Sequence, residues 1–147
     1  MNSHNEMQRL SNQLCFSLYA CSKEIVRLYK PYLDPHGLTY TQYIVLLALW
    51  EQDDMAVSEL GRRLTLDSGT LTPLLKKLEK LQLLTRTRSD KDERSVRIRL
   101  TEKGYSMRET LAELPQRIFC HAGLTPEQAV LLKQSVDALL ANVLMLR

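Results

Sequence analysis

The sequence predicts a mainly α-helical chain with one small β-hairpin, arranged as a winged helix-turn-helix. Three observations lead there. A short amphipathic segment, Val57-Ser58-Glu59-Leu60-Gly61-Arg62-Arg63-Leu64, is followed after three residues by a second one opening at Ser68, the spacing of a helix-turn-helix. Directly behind them, two five-residue segments flank a charged tip, and the second, Val96-Arg97-Ile98-Arg99-Leu100, alternates apolar and basic residues as a half-buried strand does. Charge gathers over the same stretch: Leu60 to Arg99 holds eleven basic and five acidic residues, a net +6 in a chain whose total is +3.

Taken in order, the first helix is expected from about Ser11 to Leu33. Leu14, Leu18, Cys21, Ile25, Leu28 and Tyr32 recur there at spacings of four and three, a core-facing stripe, and Pro35-His36-Gly37 ends it. A second helix runs from about Thr39 to Trp50, with Thr39 and Gln42 placed as a capping box. Glu51-Gln52-Asp53-Asp54 reads as a polar connection to the helix-turn-helix, whose turn is Thr65-Leu66-Asp67.

Asp67 or Ser68 can cap the helix that follows. Its leucines at 71, 74, 75, 78 and 81 form a buried stripe, while Gly69, Thr72, Pro73, Lys76 and Lys80 face the other way, flanked by Thr70 and Lys77. Pro73 breaks a local rule inside the helix. The wing follows as Leu84 to Arg88, a tip Ser89 to Ser95, and Val96 to Leu100. Thr101-Glu102-Lys103-Gly104 opens a further helix expected to continue to about Cys120 despite Pro115. Ala122-Gly123 stops it, and Thr125-Pro126-Glu127-Gln128 starts the last one with both capping-box residues. That last helix carries Leu132, Val136, Leu139, Val143 and Leu146 at four-three spacing, with Leu131, Leu140 and Leu144 beside them. So wide an apolar surface calls for a partner subunit.

Composition bounds the function. At 147 residues and 44% hydrophobic content the chain is expected to be one domain, 1–147, with a real core. No apolar run approaches the roughly 20 residues of a membrane helix, and the N-terminus has no export-signal pattern. Three cysteines without a C-x-x-C pair argue against a secreted disulfide framework and for a cytoplasmic protein. His4, His36 and His121 lack metal-ligand spacing, and no phosphate-binding glycine loop or nucleophile elbow is present. No cofactor and no enzyme activity are expected.

The helix from Ser68 sets short side chains and hydroxyls toward its N-terminal end and ammonium groups further along. A major groove accepts such a face, small groups reaching base edges and cations meeting phosphates. An ordinary solvated lysine face explains that segment equally well by itself; the neighbouring turn, wing and charge favour double-stranded DNA. Cys15 lies near the start of the first helix, where the dipole favours a thiolate, with Tyr19 one turn on and Tyr29 at nearly the same azimuth. Phenol hydroxyls can hydrogen-bond a thiolate. Core packing explains Cys15 and Cys21 as well, and periodicity places Cys120 near no other thiol.

The run Leu66-Asp67-Ser68-Gly69-Thr70-Leu71-Thr72-Pro73-Leu74-Leu75-Lys76, the wing motif Asp92-Glu93-Arg94 and the start Asn12-Gln13-Leu14-Cys15-Phe16 resemble the MarR family, and more narrowly its organic-hydroperoxide-sensing OhrR branch. The resemblance implies a homodimeric repressor, dimerised through about 11–35 and 105–147, with the winged helix-turn-helix in about 55–100. It implies DNA contacts from Ser68, Gly69, Thr70, Thr72, Pro73, Lys76, Lys77, Arg86, Asp92 and Arg94. It makes Cys15 the sensor of organic hydroperoxide, its thiolate held by Tyr29 and Tyr40 of a partner subunit, with Tyr19 as a further wall. Cys120 takes the place of the resolving cysteine in two-cysteine members; Cys21 has no assigned role. Two alternatives stand beside this: a MarR-type regulator answering a small aromatic ligand with structural cysteines, and a thiol peroxidase with an incidental basic face.

Overall fold

A computed structural model describes residues 3–92 and 95–147. Two compact units divide it, Met1–Ala112 and Glu113–Arg147. The first holds helices α1 (Ser3–Met7), α2 (Leu14–Leu33) and α3 (Tyr40–Glu51), strand β1 (Met55–Ala56), helices α4 (Val57–Leu64) and α5 (Ser68–Lys80), strands β2 (Leu84–Arg88) and β3 (Val96–Leu100), and helix α6 (Glu102–Thr110). The second holds α7 (Leu114–Ala122) and α8 (Pro126–Leu144). Among the described residues no helix is long and apolar enough to cross a membrane.

The first long helix begins three residues later than its periodicity suggests. Leu10–Asn12 forms a separate 3-10 turn and Gln13 is extended, its side-chain amide donating to the carbonyls of Met7 and Arg9. Cys15 is therefore the second residue of α2. The expected capping box of α3 is complete: Thr39 Oγ1 accepts from the Gln42 N–H at 3.3 Å, and Gln42 Oε1 accepts from the Thr39 N–H at 3.0 Å. Tyr43, Val45, Leu46 and Leu49 of α3 are buried with Leu33, Leu60, Leu71, Leu75 and Leu78. These form the core on which the helix-turn-helix sits.

Between α4 and α5 the chain turns on Thr65, which adopts a left-handed conformation (φ 55°), and the Leu66 N–H donates to the Gly61 carbonyl at 2.9 Å. A Cβ at Gly61 would lie 2.8 Å from the Leu66 carbonyl oxygen, so glycine is what lets the turn close. The wing pairs as expected, antiparallel, with Leu84 opposite Leu100 and Arg88 opposite Val96. A third strand was not expected: β1 pairs with β3, Met55 opposite Ile98, giving the order β1-β3-β2.

Two further expectations need correction. The helix from Glu102 does not run to Cys120. It stops at Thr110, and α7 begins afresh at Leu114. Pro115 has no N–H to continue the ladder, but it fits the first turn of a new helix, where that donor has no partner anyway. Second, the α2 stripe is not core within one chain: Leu33 alone is buried on that helix, while Leu14, Cys21 and Ile25 are exposed. The period located an apolar face without saying what covers it. In α8 the capping box is again complete (Thr125 and Gln128), yet no residue of that helix is buried.

Candidate DNA-reading surface and thiol site

Asp67 caps α5, its Oδ1 accepting from the Thr70 N–H at 2.8 Å. Those bonds hold the Asp67 carboxyl below the usual carboxylate range, the Thr70 backbone N–H contributing most. Leu71, Leu75 and Leu78 anchor the helix to the core, and the opposite face presents Ser68, Gly69, Thr70, Pro73, Lys76 and Lys77 to solvent, with Thr72 half-buried beside them. All are thus brought onto one ridge. Pro73 lies inside the helix, on that exposed side.

The wing's arginines are more committed than their count suggests. Arg86 is half-buried and clasped by Glu79 of α5. Arg97 and Arg99 both bond Asp54, through Arg97 Nε to Oδ1 at 2.7 Å and Arg99 Nη2 to Oδ2 at 2.6 Å; Arg97 Nη2 also donates to the Asp54 carbonyl. These bonds, from Arg99 first and Arg97 second, hold the Asp54 carboxyl down at about 2. Its neighbour Asp53 accepts from the Leu100 N–H at 2.9 Å and from the Tyr105 hydroxyl at 2.6 Å. Asp53 and Asp54, read from sequence as a polar connection, are the acidic root of the wing. Only the left-handed backbone of Asp54 (φ 55°) marks the place locally. Arg62, Lys76, Lys77, Lys80, Arg88 and Lys91 make no ion pair among the described residues. They are the cations left for a polyanion. Asp92 is exposed at the wing tip and its carbonyl accepts from the Ser95 N–H at 2.9 Å; Arg94 lies outside the described residues.

Cys15 is exposed in the first turn of α2. Tyr19, one turn on, is exposed, and Lys23 Nζ stands 4.8 Å from the centre of its ring. Tyr29 and Tyr40 are in ring contact with each other (centroids 4.7 Å), and both neighbour Tyr43, at 5.7 and 6.4 Å. Burial, then the neighbouring phenols, pushes Tyr29 up to about 12, and burial raises Tyr40. Both therefore remain protonated donors at neutral pH. Fourteen residues of helix separate Tyr29 from Cys15, about 21 Å along one axis, so one chain does not bring the phenols to its own thiol. Cys120, exposed near the end of α7, borders a 540 Å³ apolar pocket with Phe119, Leu124, Pro126 and Val130.

A transcriptional regulator model, SarA/Rot, matches residues 27–111. The organic hydroperoxide resistance transcriptional regulator of Bacillus subtilis (strain 168) is 47% identical over 139 residues, covering 95% of this chain and 92% of its own. The chain belongs to the MarR family. It is a transcriptional regulator of the organic-hydroperoxide-resistance type, and the proteins it resembles are regulators, not enzymes. Among solved structures, reduced AbfR of Staphylococcus epidermidis bound to DNA matches with a TM-score of 0.79 at 35% identity, covering 97% of this chain and 99% of that one. The disulfide-formed state of AbfR matches at 0.61 and 37% identity, covering 93% and 96%. The matched SarA/Rot span takes in the tyrosine cluster, reading helix and wing of this MarR-family regulator, and leaves Cys15 and Cys120 outside it.

Proposed function

We propose that this regulator is a homodimeric repressor that binds operator DNA while reduced and releases it when organic hydroperoxide oxidises Cys15. The observation that carries the reading is an exposed thiol in the first turn of α2, in the same chain as an exposed reading helix. AbfR, a similar protein, exists as a reduced form bound to DNA and as a disulfide-formed state, which supports a thiol switch.

Uncovered apolar faces on α2 and α8 support a dimer, formed by about 11–35 and 105–147. A second copy would also supply the Tyr29 and Tyr40 hydroxyls, since within one chain Tyr29 stands about 21 Å along α2 from Cys15 and Tyr40 packs against Tyr29; Tyr19 adds a wall on the same helix. Two copies of α5 would enter successive major grooves about 10 base pairs apart. Ser68, Gly69, Thr70, Thr72 and Pro73 would approach base edges and Lys76 and Lys77 phosphates. From the wing, Arg94 would enter the adjacent minor groove, oriented by Asp92, while Arg86, held by Glu79, would set the angle at which the wing meets α5. The site of action is the cytoplasm.

Chemically, the Cys15 thiolate attacks one peroxide oxygen, the O–O bond breaks, and the alcohol leaves with a proton. The resulting sulfenic acid is attacked by Cys120 of the partner subunit; an S–S bond forms and water leaves. Joining those sulfurs shifts the helices that set the spacing of the two reading heads, so both half-sites lose contacts together.

A gel shift on the protein's own upstream DNA, with and without cumene hydroperoxide, tests this. Wild type should release, Cys15→Ser should bind and stay bound, and Cys120→Ser should form no intersubunit disulfide on a non-reducing gel. Release of Cys15→Ser by peroxide at the wild-type dose overturns the reading. A second reading, a small aromatic effector, has one observation in its favour: a 210 Å³ pocket walled by Val26, Tyr29, Leu33, Leu38 and Tyr40, with Arg27, Lys30, Asp34 and Thr39 also lining it. Release by such a compound, undiminished in Cys15→Ser, would establish it.

A further inference from the structure

We propose that Trp50 is the positioning residue that couples the tyrosine cluster to the DNA-reading head. This rests on the redox reading above and adds a joint to it. α3 is a 12-residue rod, about 18 Å long, held in the core by Tyr43, Val45, Leu46, Ala48 and Leu49, with Leu47 on its exposed side. Tyr40 opens it and Trp50 lies in its last turn. Between them Tyr43 touches both: its ring is 6.4 Å from Tyr40 and 6.3 Å, edge-on, from Trp50. Tyr43 also meets Tyr29 at 5.7 Å. An unbroken line of aromatic contact thus runs from the two phenols to the far end of α3.

At that end the Trp50 indole N–H donates to the Gly104 carbonyl at 2.9 Å, bridging 54 residues of sequence. Gly104 sits where α6 presses on the segment joining the reading helix to the wing; a Cβ there would overlap the Leu83 carbonyl oxygen. The same end of α6 holds that segment by three bonds. The Thr101 N–H donates to Leu83 O (3.1 Å), Thr101 Oγ1 to Gln82 O (2.6 Å), and Lys103 Nζ to Leu81 O (2.9 Å). Three residues beyond Trp50, Asp53 bonds the wing at Leu100 and α6 at Tyr105. Reading helix, wing and α6 therefore meet at one joint, and Trp50 is where α3 enters it. When the phenols lose their thiolate acceptor, α3 is the element that shifts, and the indole carries that shift to Gly104.

Trp50→Phe keeps an aromatic ring beside Tyr43, though a smaller one, and deletes the donor. In the full-length protein three readouts are taken together: operator affinity of the reduced form, rate of Cys15 oxidation by cumene hydroperoxide, and the fraction of DNA released once Cys15 is oxidised. The expected result is wild-type oxidation, reduced-state affinity within about threefold, and a loss of coupling between oxidation and release of about tenfold. Release that follows oxidation as in wild type overturns the role of Trp50. Failure of wild-type release, or equal release by Cys15→Ser, instead defeats the redox reading beneath it. Trp50 is also the single tryptophan of the chain, which gives a measurement free of substitution at that site. Selectively excited indole emission should change on peroxide addition in wild type and not in Cys15→Ser. Emission that stays constant while DNA is released overturns the proposal even if Trp50→Phe does not fold.

Discussion

Arg86 of the first wing strand and Glu79 of the reading helix are joined at three points. Arg86 Nε and Nη2 donate to Glu79 Oε2 at 3.0 and 2.8 Å, and the Arg86 backbone N–H donates to Oε1 at 3.2 Å. The hydrogen bonds from Arg86 hold the Glu79 carboxyl below the usual carboxylate range. One carboxylate thereby fixes the angle between helix and wing and occupies a cation that would otherwise face DNA. Glu79→Gln should weaken both effects. The pair is part-exposed, so screening limits the loss of stability to about 1 kcal/mol, read as a lower urea midpoint. The freed guanidinium should steepen the dependence of log affinity on log salt by about 0.9. An unaltered midpoint and slope would mean that the clasp does neither.

Asp54 gives a pH signature. Its carboxyl titrates at about 2 in the folded chain against an ordinary 3.8, because Arg99 and Arg97 bond the charged form. A depressed carboxylate stabilises the fold above its ordinary value, and that contribution disappears as pH falls from about 4 through about 2. Unfolding midpoints measured at pH 5, 4 and 3 should decline in wild type and decline less in Asp54→Asn. Parallel declines would remove Asp54 from the account of acid sensitivity.

Local patterns in the sequence carried much of this fold, and the reasons are specific. Asp67, Thr39 with Gln42, and Thr125 with Gln128 are caps whose partners lie within three residues. The alternation of Val96 to Leu100 states which side of the strand is inward. What was illegible depends on partners far along the chain. Asp54 finds Arg97 and Arg99, 43 and 45 residues away, and no local pattern distinguishes it from a solvated loop aspartate. β1 is two residues long, too short to show a period. At the site, exposure of Ser68 to Thr70 and of Lys76 and Lys77 follows from the leucine stripe, whereas the engagement of Arg86, Arg97 and Arg99 does not. Cys15 is the closest contest: periodicity allows a packed residue, and within one chain Cys15, like Cys21, is exposed on a helix whose stripe that chain leaves uncovered.

Two glycines should respond oppositely to the same change. Gly104→Ala drives a methyl into the Leu83 carbonyl and should cost about 3 kcal/mol or lead to misfolding, as expected where backbone cannot yield. Gly69 stands on the open face of α5, where a Cβ would meet only the Asp67 side chain at 3.2 Å. Gly69→Ala should leave the fold intact, a gain in helix propensity of up to about 1 kcal/mol being set against crowding of the Asp67 cap oxygen, yet lower operator affinity by obstructing close approach to the groove. Thermal unfolding and DNA titration of the two variants separate these effects. An Ala at 69 that binds operator as wild type does would exclude this residue from the contact.

Tyr29 supplies the alkaline counterpart. Burial and the phenols of Tyr40 and Tyr43 raise it from 10.0 to about 12. The folded chain therefore favours the neutral phenol, so this contribution is intact below pH 10 and is lost as pH rises from 10 through about 12. Unfolding midpoints should fall across that window, and Tyr29→Phe should flatten part of the fall; Tyr40 and Tyr43, raised for the same reason, retain the rest. Phenolate absorbance should show the late-titrating group in wild type and lose it in Tyr29→Phe. The property that produces this slope is the one a thiolate partner needs, a hydroxyl that keeps its proton at the pH where the thiol has given its own away. If Tyr29→Phe left both the absorbance titration and the alkaline slope unchanged, the late-titrating phenol would not be Tyr29, and burial in the cluster would not be what raises it.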